Sequence, residues 1–294
     1  MSKLEIPDMS RLNVNKWVLE QRFEPLLKNK NGHPRDERIC IEPENFKYDI
    51  DGEKARNQGY SGVTRFVNSN FKEFDADAVI EKMMNSKKWP NSPYFGMTAD
   101  AIKELWSNKG KLAAQNGTEM HYAIESFYNG LDLSVETDTR PKYNGDEFEL
   151  FKKFEANRVK GLFGYIEPYR TEWEVFDDEA KVYGIIDMVY KSVDEDGNEV
   201  LHLYDWKRAK EFRKSNPWEN AVTKCISHLP GTDYWHYCLQ LNMYKFIVEK
   251  FYGKKVATMY LVRFFPGLSN YERVRIPDLQ SEIEDLRNER IATL

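Results

Sequence analysis

The stretch 182–207, VYGIIDMVYKSVDEDGNEVLHLYDWK, constrains the fold more than any other part of the 294-residue chain. Two segments rich in β-branched and aromatic residues flank DEDGN, whose Asp-Gly pair favours a hairpin turn. The strands carry Asp187, Asp205 and Lys207 at places where a buried strand is usually apolar. Because burial of a lone charge is costly, we expect these three side chains to converge for a chemical reason.

The turn decides whether the charges meet. A two-residue turn at the Asp-Gly pair would place Asp187 and Asp205 on opposite faces of the hairpin. A three-residue loop over 195–197, with Gly197 in the left-handed conformation, would set Asp187 opposite Asp205. Alternation would then bring Lys207 to the same face. Only the second register clusters the charges, and we therefore predict it.

Composition narrows the class of protein. Hydrophobic residues make up 41% of the chain, and charged residues at 31% with a mean hydropathy of -0.71 indicate a soluble protein. No apolar run approaches the ~20 residues of a membrane span, so no membrane partner is expected. The N-terminus lacks the features of a signal or transit peptide. Three scattered cysteines favour a reducing intracellular compartment (cytoplasm or nucleus) and leave too few ligands for a four-cysteine iron–sulfur cluster.

Net charge is -5, which taken alone argues against a nucleic-acid partner. A global average does not exclude a local basic channel, because the potential that a ligand meets is local. The charge balance therefore leaves nucleic-acid binding open.

Periodicity predicts an α/β core over 116–294, in which a mixed central sheet is flanked by helices. A mostly helical region over 1–115 is expected to pack onto this core, beginning with a short helix that ends near Glu24. The remaining predicted elements are a helical region over 98–128, helices over 75–89, 146–160, 233–253 and 281–292, and strands over 169–178, 256–265 and 271–277.

Two carboxylates and a lysine on one sheet face suit divalent-metal phosphodiester chemistry. Hard oxygen ligands bind Mg²⁺, which contacts substrate phosphate and lowers the pKa of a bound water. A neighbouring lysine can orient or deprotonate that water and offset developing negative charge. Asp-x-Lys by itself equally fits a surface hairpin with ordinary ion pairs. The apolar run that leads into Asp187 favours a half-buried aspartate and hence the metal interpretation.

Four motifs occur in an order that resembles the RecB-like branch of the PD-(D/E)XK nucleases. They are His121 within GTEMHYAIESF, GIID at 184–187, DWK at 205–207 and QLNMY at 240–244. The helical stretch from Tyr60 onward also resembles exonuclease-like members from large DNA viruses, phages and the mitochondrial genome-maintenance exonucleases. The resemblance covers roughly residues 60–265. It implies a restriction-endonuclease-like mixed sheet flanked by helices.

The resemblance also implies roles for the motif residues. Asp187 and Asp205 would hold Mg²⁺ or Mn²⁺, with the main-chain carbonyl of Trp206 and the imidazole of His121 as further ligands. Lys207 would be the catalytic lysine. On spacing alone, the histidine would be a surface partner of a glutamate one helical turn later.

Other residues have weaker assignments. Gln240 and Tyr244 lie one helical turn apart and would reach the active site or the DNA backbone, although a partly polar stripe on a core helix fits their spacing equally. Glu125 and Glu174 are possible supports for the metal ligands or for a lysine. For Glu174, a solvent-facing position on a strand is the favoured alternative.

A basic run follows the DWK motif. Arg208, Lys210 and Arg213, with aromatic residues nearby in sequence, favour a channel that tracks phosphates and stacks bases. The alternative is a solvated charged face. We expect a metal-dependent DNA nuclease, in particular an exonuclease on single-stranded or free-ended DNA. The alternatives are an RNase or structure-specific endonuclease of the same fold, and a non-catalytic module that binds nucleic acid or a protein partner.

Overall fold

The computed structural model describes residues 26–42, 47–130 and 145–294, so the short helix expected near Glu24 lies outside the described residues. Strands and helices occur in separate runs along these ranges. The strands are β1 (Ile39–Glu42), β2 (Lys47–Ile50), β3 (Glu53–Lys54), β4 (Ser61–Gly62), β5 (Glu167–Asp177), β6 (Val182–Val193), β7 (Glu199–Lys207), β8 (Val256–Arg263) and β9 (Glu272–Arg275). The helices are α1 (Leu26–Lys30), α2 (Val63–Asn68), α3 (Ala76–Met84), α4 (Ala99–Tyr128), α5 (Asp146–Val159), α6 (Asp233–Tyr252) and α7 (Gln280–Ile291).

A mixed sheet of six strands forms the centre of the molecule. Strand β6 pairs antiparallel with β5 along nearly all of its length, from Asp177↔Val182 to Glu167↔Lys191. Two strands pair with the other edge of β6. Strand β4 pairs in parallel with the first two residues of β6, and β7 pairs antiparallel with the second half of β6. Strands β8 and β9 extend the sheet beyond β7. A mixed sheet flanked by helices is therefore confirmed.

The β6–β7 hairpin has the predicted register. Paired residues run from Met188↔Tyr204 to Val193↔Glu199. The main-chain N–H of Asp194 donates to the carbonyl of Asn198 at 2.9 Å, which closes a three-residue loop, and Gly197 has a φ of 81°. This left-handed conformation suits glycine because it has no side chain. One residue beyond the last pair, Met188↔Tyr204, the same register sets Asp187 across from Asp205.

Helices cover both faces of this sheet. On one face, α2, α6 and α7 contribute Phe66, Ile247 and Ile283 to a buried apolar cluster. On the other face, α4 and α5 contribute Met120 and Phe151 to a second cluster. Burial of both faces explains why the central strands read as apolar runs in the sequence.

Helix α4 is continuous over thirty residues. It begins at a Thr98 side chain that accepts a hydrogen bond from the N–H of Ala101, as the sequence indicated. The predicted domain boundary between residues 115 and 116 falls inside this helix, so no linker separates two units there. Gly117 does not interrupt it, because the buried packing that follows offsets the ~1 kcal/mol cost of a helical glycine.

The region before residue 115 contains strands as well as helices. Strands β1, β2 and β3 form a separate antiparallel sheet that the sequence pattern did not predict. They contain four, four and two residues, which is too short for a clear period of two. Ile39 and Ile50 anchor this sheet against Phe176 of the central sheet. Within the described ranges, no helix combines the length and the apolar character that a membrane crossing needs.

Candidate active site

The central sheet opens where the charged residues lie. The β6–β7 ladder ends at Met188↔Tyr204, whereas β7 continues to pair with β8 as far as Lys207↔Arg263. Past this point the main-chain N–H of Trp206 donates to Asp187 Oδ2 at 2.7 Å. A carboxylate thus takes the place of a main-chain carbonyl, and the strands separate around it.

The alternation of side chains along β6 shifts at Asp187. Ile186 and Val189 are three residues apart, yet both pack into the cluster beneath α6. Met188 packs into the cluster beneath α4 and α5. In a regular strand, residues at odd separation point to opposite faces. An irregularity at Asp187 therefore re-aims its side chain, as bulges do beside many active sites.

Glu172 on β5 has a matching irregularity. The pairs Thr171↔Met188 and Trp173↔Ile186 flank it, so Glu172 lies across from Asp187. Its φ of 43° falls in the left-handed region, which costs about 1 kcal/mol or more for a residue other than glycine. The surrounding sheet holds two acidic residues next to each other in unusual backbone geometry.

His121 completes a compact cluster with these two carboxylates. The side-chain ligand atoms of His121, Glu172 and Asp187 all lie within 4.8 Å of one another. His121 Nδ1 is 3.6 Å from Glu172 Oε1 and 3.7 Å from Asp187 Oδ1. This is the group that could hold a metal ion among the residues that the structure describes.

The carbonyl of Trp206 contacts the histidine from the other side. His121 Nε2 lies 3.1 Å from this oxygen, and only a protonated Nε2 can donate to it. That hydrogen bond leaves Nδ1 facing the carboxylates. A metal-binding histidine commonly donates its second nitrogen to a carbonyl or carboxylate, which fixes the ring. The structure therefore places the Trp206 carbonyl where it orients the histidine.

Asp205 and Lys207 lie beside the cluster as a buried ion pair. Lys207 Nζ is 2.7 Å from Asp205 Oδ2 and sits over the ring of Tyr237, 4.5 Å from its centre. No other described group makes a hydrogen bond to that carboxylate oxygen, which is buried. Asp205 is only 2% exposed.

Burial and the neighbouring charges shift the pKa values of these groups. Burial raises the pKa of Asp205 to about 7, although Lys207 acts in the opposite sense. Burial also raises the pKa of Glu172. For His121, burial lowers the pKa, but the carboxylates of Asp187 and Glu172 outweigh it and raise the pKa to about 9. Each shift favours a bound proton: burial is the main cause at the two carboxyl groups, and the neighbouring carboxylates are the cause at His121.

The donor set fits a divalent cation. Glu172, Asp187 and Asp205 supply three carboxylates against the single ammonium of Lys207, which leaves an excess of two negative charges when His121 is neutral. Carboxylates suit Mg²⁺ and Mn²⁺, and an imidazole is a donor to transition metals. A bound cation would offset this negative charge and the poor solvation of the carboxylates.

Tyr244 packs directly on the GIID motif. A Cβ atom at Gly184 would lie 2.6 Å from the Tyr244 ring and 2.7 Å from its hydroxyl, so glycine is required for this approach. The Gln240 amide donates to the same hydroxyl at 3.2 Å. Burial, followed by the charge of Asp205, raises the pKa of Tyr244. Tyr244 is thus a buried residue packed on the GIID motif, and Gln240 is half-buried beside its hydroxyl.

The two glutamates proposed as supports have different surroundings. Glu174 is buried and forms an ion pair with a lysine, Lys28, whose Nζ lies 3.2 Å from its Oε2. Its expected solvent-facing position is not observed. Glu125 is half-buried one turn after His121 on α4.

The basic run after β7 divides into two parts. The Arg208 guanidinium pairs with Glu147 of α5 and stacks near Phe265, with 5.3 Å to the ring centre. That ion pair competes with the predicted role in substrate binding. Lys210 and Arg213 are exposed on the loop that follows and remain accessible to a ligand.

Sequence reasoning missed two residues of the site. Tyr237 lies three residues before Gln240 on α6, so helical spacing could have identified it beside the QLNMY motif. Glu172 gives a weaker signal, because nothing in the sequence indicates its left-handed backbone. An acidic residue on the strand preceding the hairpin is the only indication.

No family model matches this chain, and no curated protein does either. Among solved structures, one described as the crystal structure of SSO0001 is 14% identical, covering 80% of this chain and 75% of that chain, with a TM-score of 0.30. A structural similarity of that size supports no conclusion about fold family or activity.

Proposed function

We propose that the chain is a metal-dependent DNA nuclease of the RecB-like PD-(D/E)XK type, an exonuclease on single-stranded or free-ended DNA. The observation that carries the proposal is the meeting of three distant motifs. His121 from α4 contacts Asp187 from β6, and Asp187 accepts a hydrogen bond from the DWK segment of β7. The fourth motif supports them, since Tyr244 packs on Gly184.

The metal would be held by His121, Glu172, Asp187 and Asp205. When bound, Mg²⁺ or Mn²⁺ supplies electrostatic stabilisation of the phosphate and lowers the pKa of a water. The protein contributes the arrangement of donors, with the His121 ring oriented by the Trp206 carbonyl.

Lys207 acts through its charge. Burial lowers its pKa, but the neighbouring carboxylates of Asp205 and Asp187 outweigh burial and raise it above the ordinary value. The ammonium therefore stays protonated at neutral pH. Of the three roles open from the sequence, orientation of water and stabilisation of negative charge on the phosphate fit this state better than removal of a proton.

A panel of nucleic-acid substrates tests the proposed function. End-labelled single-stranded DNA, linear duplex DNA, closed-circular DNA and RNA are incubated with the protein in Mn²⁺, in Mg²⁺ and in chelator. We expect metal-dependent release of short products from linear DNA, with closed circles left intact.

Other outcomes separate the alternatives. Rapid cutting of closed circles would indicate an endonuclease, and preferential loss of RNA would indicate an RNase of the same fold. If no polymer is cleaved in either metal at any enzyme concentration, the proposal is wrong and a non-catalytic binding module is favoured.

A further inference from the structure

Besides the basic run after β7, a groove lined by basic residues lies outside the metal cluster. The groove, of about 810 Å³, runs between the small sheet and the start of α2. Among the described residues that line it, four are basic and none is acidic: Lys47, Lys54, Arg56 and Arg65. This concentration is notable in a chain whose net charge is -5.

Two of these cations are available to a ligand. Arg56 and Arg65 are exposed, and neither forms an ion pair with a carboxylate in the ranges that the structure describes. Lys54 is held by Asp49, with 3.1 Å between Nζ and Oδ1. An arginine guanidinium offers several donors to phosphate oxygens, so these two exposed arginines suit a phosphodiester backbone.

Aromatic rings form one wall of the groove. Tyr48 and Tyr183 are half-buried, with ring centres 4.1 Å apart. Basic residues that follow a backbone, together with aromatic rings, are the usual composition of a site for single-stranded nucleic acid. The flanking polar side chains of Asn57, Thr64 and Asn68 add hydrogen-bonding groups.

The groove and the metal cluster share strand β6. Tyr183 precedes Asp187 by four residues on β6, which is ~13 Å at the rise of a strand. Gly184 and the Tyr244 ring packed on it lie between the two. Tyr48 is close enough to add to the raised pKa of Tyr244, for which burial and Asp205 are the larger causes.

We propose that this groove binds the backbone of a single DNA strand, with phosphates at Arg56 and Arg65, and feeds that strand to the metal cluster. The inference rests on the proposed function, since it names where the substrate of that site is held. It assigns a substrate role to the small sheet, which the sequence motifs do not include.

Binding and hydrolysis are tested separately. The double variant Arg56→Ala/Arg65→Ala is compared with the wild type and with Lys160→Ala/Lys224→Ala, which removes two exposed cations outside the groove. Binding of a fluorescein-labelled 20-nucleotide single strand is followed by anisotropy in chelator over a range of salt. Hydrolysis is followed in Mn²⁺ with thymidine 5′-monophosphate p-nitrophenyl ester, which is too short to reach the groove.

The groove variant is expected to bind the single strand at least fivefold more weakly. The slope of log Kd against log salt should fall by about 1.4, because each phosphate contact to a single strand contributes about 0.7. Its hydrolysis of the small ester should match that of the wild type, and the lysine variant should match the wild type in both assays.

An unchanged Kd and salt slope in the groove variant would overturn the inference, as would a wild-type protein that does not bind the single strand. Failure of the proposed function has a different signature. In that case the wild type binds the strand but hydrolyses neither the ester nor the strand in Mn²⁺.

Discussion

At the scale of single residues, Glu172 is the most informative position. It combines a left-handed backbone with a carboxyl group in the same cluster as that of Asp187, and burial raises its pKa. Both features lower stability, since the backbone is strained and the ionised carboxylate is poorly solvated. Such costs concentrate at functional sites, where a group is held for its chemistry rather than for the fold.

Replacing Glu172 by Gln separates stability from function. The variant keeps the shape and removes a half-buried charge whose ionised form is poorly solvated, so we expect the free energy of unfolding to rise by about 1 kcal/mol. That corresponds to an increase in Tm of a few degrees for a chain of this size, measured by differential scanning calorimetry at pH 7 in chelator. Metal affinity, measured by calorimetric titration with Mn²⁺, should fall about tenfold or more.

Glu174→Gln is the matched control, because it alters a glutamate two residues away that pairs with Lys28. It should leave Mn²⁺ affinity unchanged. If the Glu172 variant is less stable and binds Mn²⁺ as tightly as the wild type, Glu172 is a structural residue and does not belong to the metal site.

The charged residues of the hairpin were predictable, whereas their geometry was only partly so. Asp187, Asp205 and Lys207 were identified because charges interrupt apolar strands. The register followed from Gly197, whose φ of 81° agrees with the predicted loop. The shift in alternation at Asp187 was not predictable, because it arises from packing on both faces of the sheet and leaves no local pattern.

At the scale of elements, the contact between α6 and β6 couples two of the motifs. The ring of Tyr244 occupies the space above Gly184 that any side chain would fill. The helix can therefore approach the strand closely at this one point, and the strand can carry Asp187 towards the opening of the sheet. The sequence predicted both elements but not their contact, since a residue's neighbours across a helix–sheet interface depend on the tertiary fold.

A double-mutant cycle tests this contact. Gly184→Ala places a methyl group against the Tyr244 ring, and overpacking of this kind typically costs about 1–3 kcal/mol. In a Tyr244→Ala background the clash is gone, so the same glycine substitution should cost much less. The free energies of unfolding of the four proteins, measured in urea, give the coupling energy. Equal costs of Gly184→Ala in the two backgrounds would show that the ring does not determine the need for glycine.

At the scale of the whole molecule, the central sheet and its flanking helices followed from apolar periodicity and turn residues. The small sheet over 39–54 could not be predicted in this way, because its strands are too short to show the two-residue alternation of apolar and polar residues. Helix α4 runs through the predicted boundary between residues 115 and 116. A net charge of -5 coexists with a groove lined by four basic residues, because the overall charge does not determine the local charge.

The central claim is that the charged cluster around Asp187 and Asp205 performs phosphodiester hydrolysis. Its most direct test is the initial rate of Mn²⁺-dependent digestion of end-labelled single-stranded DNA by four proteins: wild type, Asp205→Asn, Lys207→Ala and Asp196→Asn. The last is a control, because Asp196 is an exposed aspartate in the loop of the same hairpin.

We predict that the Asp205 and Lys207 variants lose at least a hundredfold in rate, since under this account each removes a charged group that acts on the reacting phosphate. Binding of DNA in chelator and the activity of the control should be retained. A wild-type rate in either the Asp205 or the Lys207 variant would contradict the account.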